Sequence, residues 1–258
     1  MSSCSGDDEK AGMDRRGLLQ SAGAFAATML APGVTLYAFG GGEAEALQAR
    51  PADQPASPKQ RWGMLIDLNK CSTGCNACVT ACKDYNGWQD TGRADIDPQW
   101  IRKVTLKDPQ TGVERSAPVM CQHCASPPCV DVCPTGASMK RADGIVLVNK
   151  HICIGCRYCM MACPFKARSF IHEDETGQKV NNPSGKGTVE GCTLCVDRVD
   201  AGQRPACVEA CAKEGGALIF GDLKDPQSEI SQALRKLPST KLRADLGVDP
   251  GVQYANLT

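Results

Sequence analysis

The sequence predicts a loop-rich α+β fold of short strands and short helices, and three observations carry that prediction. Sixteen of the 17 cysteines fall into four groups of four: Cys71, Cys75, Cys78 and Cys82; Cys121, Cys124, Cys129 and Cys133; Cys153, Cys156, Cys159 and Cys163; Cys192, Cys195, Cys207 and Cys211. The 258 residues include 26 glycines and 16 prolines, which favour turns over long regular elements. Only 5% of the residues are aromatic, so something besides large apolar side chains must cross-link the interior.

From Trp62 onward the pattern settles into strands that feed cysteine loops. Met64–Leu68 is an apolar run ending three residues before Cys71, and a helix is expected at Ala77–Tyr85. Arg102–Leu106 and Val113–Val119 flank Asp108-Pro109-Gln110-Thr111-Gly112, the signature of a hairpin. Ile145–Val148 precedes Cys153 as Met64–Leu68 precedes Cys71, and both runs pass through Asn-Lys (Asn69-Lys70, Asn149-Lys150). That internal repeat predicts duplicated units. Short helices are expected to follow the third cysteine of each group, the second example being Met160–Pro164. The polar stretch Asp174–Val189 reads as a loop. Its Gly185-Lys186 lacks the first glycine and the Ser/Thr of a phosphate-binding loop. Ala217–Phe220 reads as a strand. Ser228–Leu237 reads as an amphipathic helix packed on the core, with Ile230, Leu234 and Leu237 on one face.

Each cysteine group ends in a thiol separated by three intervening residues from the one before it. This resembles the ligand run of bacterial-type ferredoxins, in which the last cysteine serves the other cluster of a pair. Four groups predict four [4Fe–4S] clusters. The competing class is a disulfide- or zinc-stabilised structural module. Disulfide geometry fixes the approach of two Cα atoms and gives no reason for one spacing to recur four times. Cys192-x2-Cys195…Cys207-x3-Cys211 alone would pass as a zinc site, but Cys153, Cys156 and Cys159 are crowded more closely than a zinc ribbon needs, and the group ends in Cys163-Pro164. Covalent haem requires a histidine after a Cys-x-x-Cys pair, whereas these pairs are followed by Val79, Ala125, Arg157, Met160 and Val196. Cys4 stands outside every group.

Which groups pair is open from spacing alone. One local feature favours nesting: Cys133 and Cys163 precede prolines, while Cys82 and Cys211 precede Lys83 and Ala212. The chemistry expected is one-electron transfer with no catalytic site. The three histidines, His123, His151 and His172, are scattered, and His123 is expected beside a cluster or at the surface rather than as a ligand. The formal net charge is zero, which points away from nucleic acid and from electrostatic membrane binding.

Residues 1–46 read as a twin-arginine export signal: Arg15-Arg16 precedes a modestly apolar stretch that ends near Ala31, with cleavage expected after Ala46. That stretch is shorter than the roughly 20 apolar residues of a membrane span. Residues 47–60 read as a flexible Pro-rich leader and residues 61–258 as the cluster domain. A protein loaded with clusters before export needs a route that carries folded cargo, so the expected compartment is the periplasm. Any membrane association would come through a partner.

The groups themselves, the run Cys121-Gln122-His123-Cys124…Pro127-Pro128-Cys129…Cys133-Pro134-Thr135-Gly136-Ala137, and Ala217–Leu223 with Gly247–Tyr254, carry a wider resemblance. The chain from Arg61 to Tyr254 resembles the four-cluster, ferredoxin-like electron-transfer subunits that accompany molybdopterin reductases and NrfD-type membrane quinone proteins. Within that family it is similar to the NrfC-like and DsrO-like branch. Its opening Arg61–Leu68 is most like DsrO-type subunits of dissimilatory sulfur metabolism. The resemblance implies an NrfD-like membrane partner, a multihaem cytochrome c as a further partner, and nested ligation. One cluster would take Cys71, Cys75, Cys78 and Cys211, and a second Cys192, Cys195, Cys207 and Cys82. A third would take Cys121, Cys124, Cys129 and Cys163, and a fourth Cys153, Cys156, Cys159 and Cys133. The first group departs from the family in having three residues, Ser72-Thr73-Gly74, between its first two ligands; Gly74 is expected to absorb the extra one.

Overall fold

The computed structural model describes Leu47 and residues 49–257; the expected export segment and Cys4 lie outside the described residues. In chain order the strands are β1 (Trp62–Asp67), β2 (Ile101–Lys107), β3 (Glu114–Met120), β4 (Ser138–Lys140), β5 (Val146–Val148), β6 (Ser169–Phe170), β7 (Val189–Glu190), β8 (Leu218–Asp222), β9 (Ser239–Thr240) and β10 (Val252–Ala255). The helices are α1 (Ala77–Asn86), α2 (Pro128–Asp131), α3 (Tyr158–Ala162), α4 (Val196–Asp200), α5 (Ala206–Lys213) and α6 (Glu229–Lys236).

β1 is the spine. Every residue of it is buried, as expected of a strand covered on both faces. It pairs antiparallel with β8 (Met64 opposite Phe220) and parallel with β10 (Met64 opposite Val252), and β9 closes the far edge against β10. Successive side chains leave opposite faces. Trp62, Met64 and Ile66 therefore enter the main core, while Leu65 meets Ile230 and Ala255 beneath α6. The expected amphipathic helix is thus core packing, begun by Ser228, whose hydroxyl accepts from the Ser231 amide at 3.3 Å. Gly63 is demanded by close approach: a Cβ there would lie 2.6 Å from the Gly251 carbonyl.

The expected hairpin forms as β2–β3, registered from Ile101 opposite Met120 to Lys107 opposite Glu114. The repeat before Cys153 forms β5, paired with β4. Within the expected leader, Arg50 is tied to α4, its amide donating to the Asp200 carbonyl at 2.7 Å and its guanidinium to the Asp200 carboxylate at 2.6 Å. Two helix pairs position the cysteines. α1 packs on α5, and α2 packs on α3.

Candidate metal centres

Each helix of the two pairs carries a cysteine near its start and presents another one turn later. Cys78 and Cys82 lie on α1, and Cys207 and Cys211 on α5; Cys129 lies on α2 and Cys159 on α3, with Cys133 and Cys163 just past their ends. Four residues of helix advance about 6 Å, so one helix can serve two adjacent sites. The helices begin one residue before the third cysteine, at Ala77, Pro128, Tyr158 and Ala206; Ala77 is the start the sequence suggests, whereas Tyr158 lies two residues before the expected Met160. Starting earlier places that thiol in the first turn, beside the loop that carries the first two.

The thiols gather in four sets. Cys71, Cys75, Cys78 and Cys211 line one cavity. Cys121, Cys124, Cys129 and Cys163 line a second, and Cys133, Cys153, Cys156 and Cys159 a third. Cys82, Cys192, Cys195 and Cys207 are neighbours in the interior, where burial and then the nearby Cys82 push the Cys192 and Cys207 thiols well above the ordinary value. The sets form a row. Cys78 reaches toward Cys207 from the first set, Cys192 feels Cys121 of the next, and Cys159 feels Cys129. Every cysteine of the two middle sets is buried, whereas Cys71, Cys75 and Cys211 at one end and Cys133 and Cys153 at the other are half-buried and Cys156 is exposed.

The donor chemistry distinguishes the guests such cavities can take. All sixteen cysteines are free, and among the described residues no three His, Cys, Asp or Glu side chains converge on a single metal ion. Four thiols spread around one shared cavity suit a polynuclear cluster, and neither a disulfide framework nor a mononuclear zinc site has this geometry. The surroundings offer hydrogen-bond donors to sulfur. The Ser138 amide donates to Cys133 Sγ at 3.3 Å, the Leu194 amide to Cys192 Sγ at 3.4 Å, the Ala167 amide to Cys163 Sγ at 3.5 Å, and Asn86 Nδ2 to Cys82 Sγ at 3.5 Å. The buried Trp88 indole N–H, without a partner among the described residues, also lies near the Cys82 thiol. Such donors fit thiolates. Burial drives the free thiols the other way, Cys78 and Cys121 up to about 11 and Cys82 and Cys124 up to about 12. A bound cation therefore has to supply the deprotonation, which is what metal coordination does.

Backbone strain gathers in the same loops. His123, Arg157, Leu194 and Cys195 hold positive φ without being glycine. Each such residue costs about 1–3 kcal/mol and persists where its surroundings over-determine it. Gly155, at φ 69°, has no alternative: a Cβ there would lie 2.1 Å from the Gly187 carbonyl. Gly74 does not play the part expected of it, since it is absent from the positive-φ glycines and has open space around it. The longer Cys71–Cys75 loop is instead gathered by Lys103 of β2, whose Nζ donates to the Ser72 carbonyl at 2.8 Å and also to the Cys75 carbonyl. His123 is buried, and its Nδ1 accepts from the Val146 amide at 3.0 Å; burial, with Arg168 nearby, lowers it to about 3, so it is neutral. It lines none of the cysteine cavities described above.

Four contributors carry no cysteine-like signal in the sequence: Lys103, Asn86, Trp88 and Arg168. Only Arg168 leaves a trace there. It stands five residues after Cys163 as Ser138 stands five after Cys133, so the two inner groups carry their difference at one equivalent position.

Residues 114–223 match the model of the 4Fe–4S dicluster domain, a span that takes in the second, third and fourth cysteine groups. The chain is 46% identical to an Hdr-like menaquinol oxidoreductase iron–sulfur subunit of Archaeoglobus fulgidus, over 77% of this chain and 84% of the relative. The chain belongs to the NrfC-like family of 4Fe–4S dicluster subunits. It is also 41% identical to the NrfC protein of Escherichia coli K12, over 74% of this chain and 78% of that protein. A tetrathionate reductase component of Salmonella typhimurium is 39% identical, over 80% of this chain and 77% of the relative. As an NrfC-like protein the chain is an iron–sulfur electron-transfer component that carries [4Fe–4S] clusters and is distinct from the catalytic part of its complex. The irregular first group, Cys71–Cys82, lies outside the matched domain span.

Proposed function

We propose that the chain holds four [4Fe–4S] clusters in two duplicated ferredoxin-like units with crossed fourth ligands. In the outer unit Cys71, Cys75, Cys78 and Cys211 bind one cluster, and Cys192, Cys195, Cys207 and Cys82 bind its neighbour. In the inner unit Cys121, Cys124, Cys129 and Cys163 bind the third, and Cys153, Cys156, Cys159 and Cys133 the fourth. The clusters supply reversible one-electron redox chemistry. The protein holds them in sequence, sets their hydrogen bonds and excludes water from the middle of the row.

The observation that carries this proposal is the gradient of exposure along the row. The two middle sets are buried and both ends reach the surface, the arrangement a conductor needs if electrons arrive at one end and leave at the other. Six large apolar side chains, Val132, Met139, Ile152, Ile154, Tyr158 and Met161, are exposed near the Cys156 end, a face suited to a protein partner.

The partner at one end of the row is an NrfD-like integral membrane protein that interacts with quinone. The other end meets a redox partner of dissimilatory sulfur metabolism, with a multihaem cytochrome c as one candidate. Two relatives, named for menaquinol oxidation and tetrathionate reduction, support quinone and sulfur compounds as the ends of the path. Electron delivery to a nitrite, tetrathionate or other molybdopterin or multihaem reductase is the second reading. Residues 1–46 serve as a twin-arginine signal, residues 47–60 as a leader and residues 61–258 as the cluster domain, so the protein works in the periplasm. Membrane association in this reading comes through the partner; among the described residues no helix is long and apolar enough to cross a membrane.

The test is isolation of the native complex through a tag on this chain, with EPR of its clusters before and after a quinol is added. Copurification of a multispanning membrane protein and reduction of the clusters by quinol are expected. A chain isolated without any membrane protein, with clusters that quinol leaves oxidised, would overturn the assignment of partner.

A further inference from the structure

Arg168 is the most heavily buried arginine of the described chain, at 7% exposure, and no carboxylate pairs with it among the described residues. Burying a guanidinium without a counter-charge is expensive. Its nearest acceptors are Cys129 Sγ, at 3.4 Å from Nη2, and Ser138 Oγ, at 3.1 Å. Arg168 lines the cavity of Cys121, Cys124, Cys129 and Cys163, and it also feels the charge of Cys159 in the adjacent set. The one fixed cation in this part of the described interior thus stands where two thiol sets meet.

The neighbouring groups add no competing charge. His123 is held neutral by its burial, and Ser138 is a hydroxyl anchor. At the Cys82, Cys192, Cys195 and Cys207 set the sulfur donors are neutral, from Asn86, the Leu194 amide and the Trp88 indole. Nothing in the bonding of a cube requires a cation where the two inner sets meet and neutral donors at the Cys82, Cys192, Cys195 and Cys207 set. Such an asymmetry bears on electron energies, because hydrogen bonds and charge at the sulfurs set the potential of a cluster.

Resting on the four-cluster proposal above, we propose that Arg168 is a positioning residue for electrons: its charge raises the reduction potentials of the two inner-unit clusters relative to a neutral residue at the same place. The sign follows from the charge change. An arriving electron makes a cluster more negative, and a cation within hydrogen-bond distance of a ligand sulfur stabilises that state more than the oxidised one. Ser138 holds the guanidinium against sulfur, which explains why the equivalent positions 138 and 168 carry a hydroxyl and a guanidinium that bond to each other.

The test is an anaerobic redox titration of the full cluster-loaded chain, followed by EPR, for the parent, Arg168→Met and Arg168→Lys. In Arg168→Met about a tenfold fall in the reduced-to-oxidised ratio at fixed potential is expected for one or two clusters, equivalent to about 59 mV for a one-electron couple. The remaining clusters should be unmoved, and Arg168→Lys should restore most of the shift. Should Arg168→Met lose iron, Arg168→Gln, which keeps N–H donors for Ser138 and sulfur, carries the same expectation. Unchanged potentials in the neutral variants, or equal shifts in the lysine and neutral variants, would overturn the proposal by showing that packing and not charge is at work. Failure of the four-cluster proposal itself is separately visible, as a parent protein whose iron content does not reach four cubes.

Discussion

Arg141→Met tests how the fold ties the β4–β5 hairpin to α4, and its magnitude follows from four contacts. The Arg141 guanidinium, just past β4, donates twice to Asp143 at 3.2 and 2.6 Å and twice to Asp200 of α4 at 2.9 and 2.8 Å. The side chain of Asp143 is only 2% exposed, and its other side-chain donor is the Trp62 indole at 3.2 Å. Removing Arg141 therefore leaves a buried carboxylate without a counter-charge, a change that typically costs about 3–5 kcal/mol. Asp200 keeps Arg50. Burial pushes the Asp200 carboxyl up, but Arg141 and Arg50 together hold it at about 2 against 3.8, a difference of about 1.8. At about 1.36 kcal/mol for each pH unit, the net effect at Asp200 after desolvation is worth roughly 2.4 kcal/mol before solvent screening and less after it, and Arg141 supplies only a part.

The expected loss is therefore dominated by Asp143 and amounts to about 3–5 kcal/mol. At roughly 2–4 °C per kcal/mol for a domain of this size, the unfolding midpoint should fall by roughly 6–20 °C. Anaerobic circular dichroism on heating measures this, with visible absorbance read in parallel; iron content should be unchanged, since none of these residues lines a cysteine cavity described above. The sign of the pH dependence is fixed by Asp200. Its carboxyl is depressed on folding, so its contribution is complete above about pH 4 and is lost as pH falls through about 2. From about pH 5 to about pH 8 that contribution should stay constant. Arg141→Met combined with Asp143→Asn should recover part of the loss by removing the buried charge. A loss below about 1 kcal/mol, the scale of an exposed ion pair, or a double variant no better than the single, would refute the reasoning.

Three further outcomes follow from the same structure. Cys82→Ser should disturb the cluster assigned to Cys192, Cys195 and Cys207 while leaving the one bound by Cys71, Cys75 and Cys78, the group's own partners in sequence; EPR of the reduced protein distinguishes crossed from uncrossed ligation. Ile230→Ala, on the buried face of α6, should cost about 2–5 kcal/mol in thermal unfolding with full iron retained, because its contacts are with Leu65 and Ala255 rather than with a cysteine set. Lys103→Met should free the carbonyls of Ser72 and Cys75 and speed loss of iron from the first set in air, followed as bleaching of visible absorbance, with the parent decay rate as the contrary result.

The cysteine groups are legible in the sequence because a thiol set needs fixed spacing, and the strands before them because β1 is an unbroken apolar run. The hairpin and α6 are legible from alternation and from a helical stripe. The helix start at Ala77 is as expected, whereas α3 starts at Tyr158, two residues before Met160, since the third cysteine's place in the first turn is set by the cavity and not by propensity. Gly74 misleads because a glycine beside an inserted residue looks like the absorber, whereas Lys103 arrives from a strand some thirty residues away. Such long-range partners leave no local pattern. Arg168 is the intermediate case, visible as one departure between two equivalent positions but meaningful only once its guanidinium is seen beside Cys129.

The most direct test of the four-cluster claim is anaerobic quantification of iron and acid-labile sulfide per chain, with EPR of the reduced protein. Four cubes predict about sixteen iron and about sixteen sulfide per chain, with reduced-cluster signals that account for four centres. A colourless protein holding zinc, or one whose iron stops at two cubes, would contradict it.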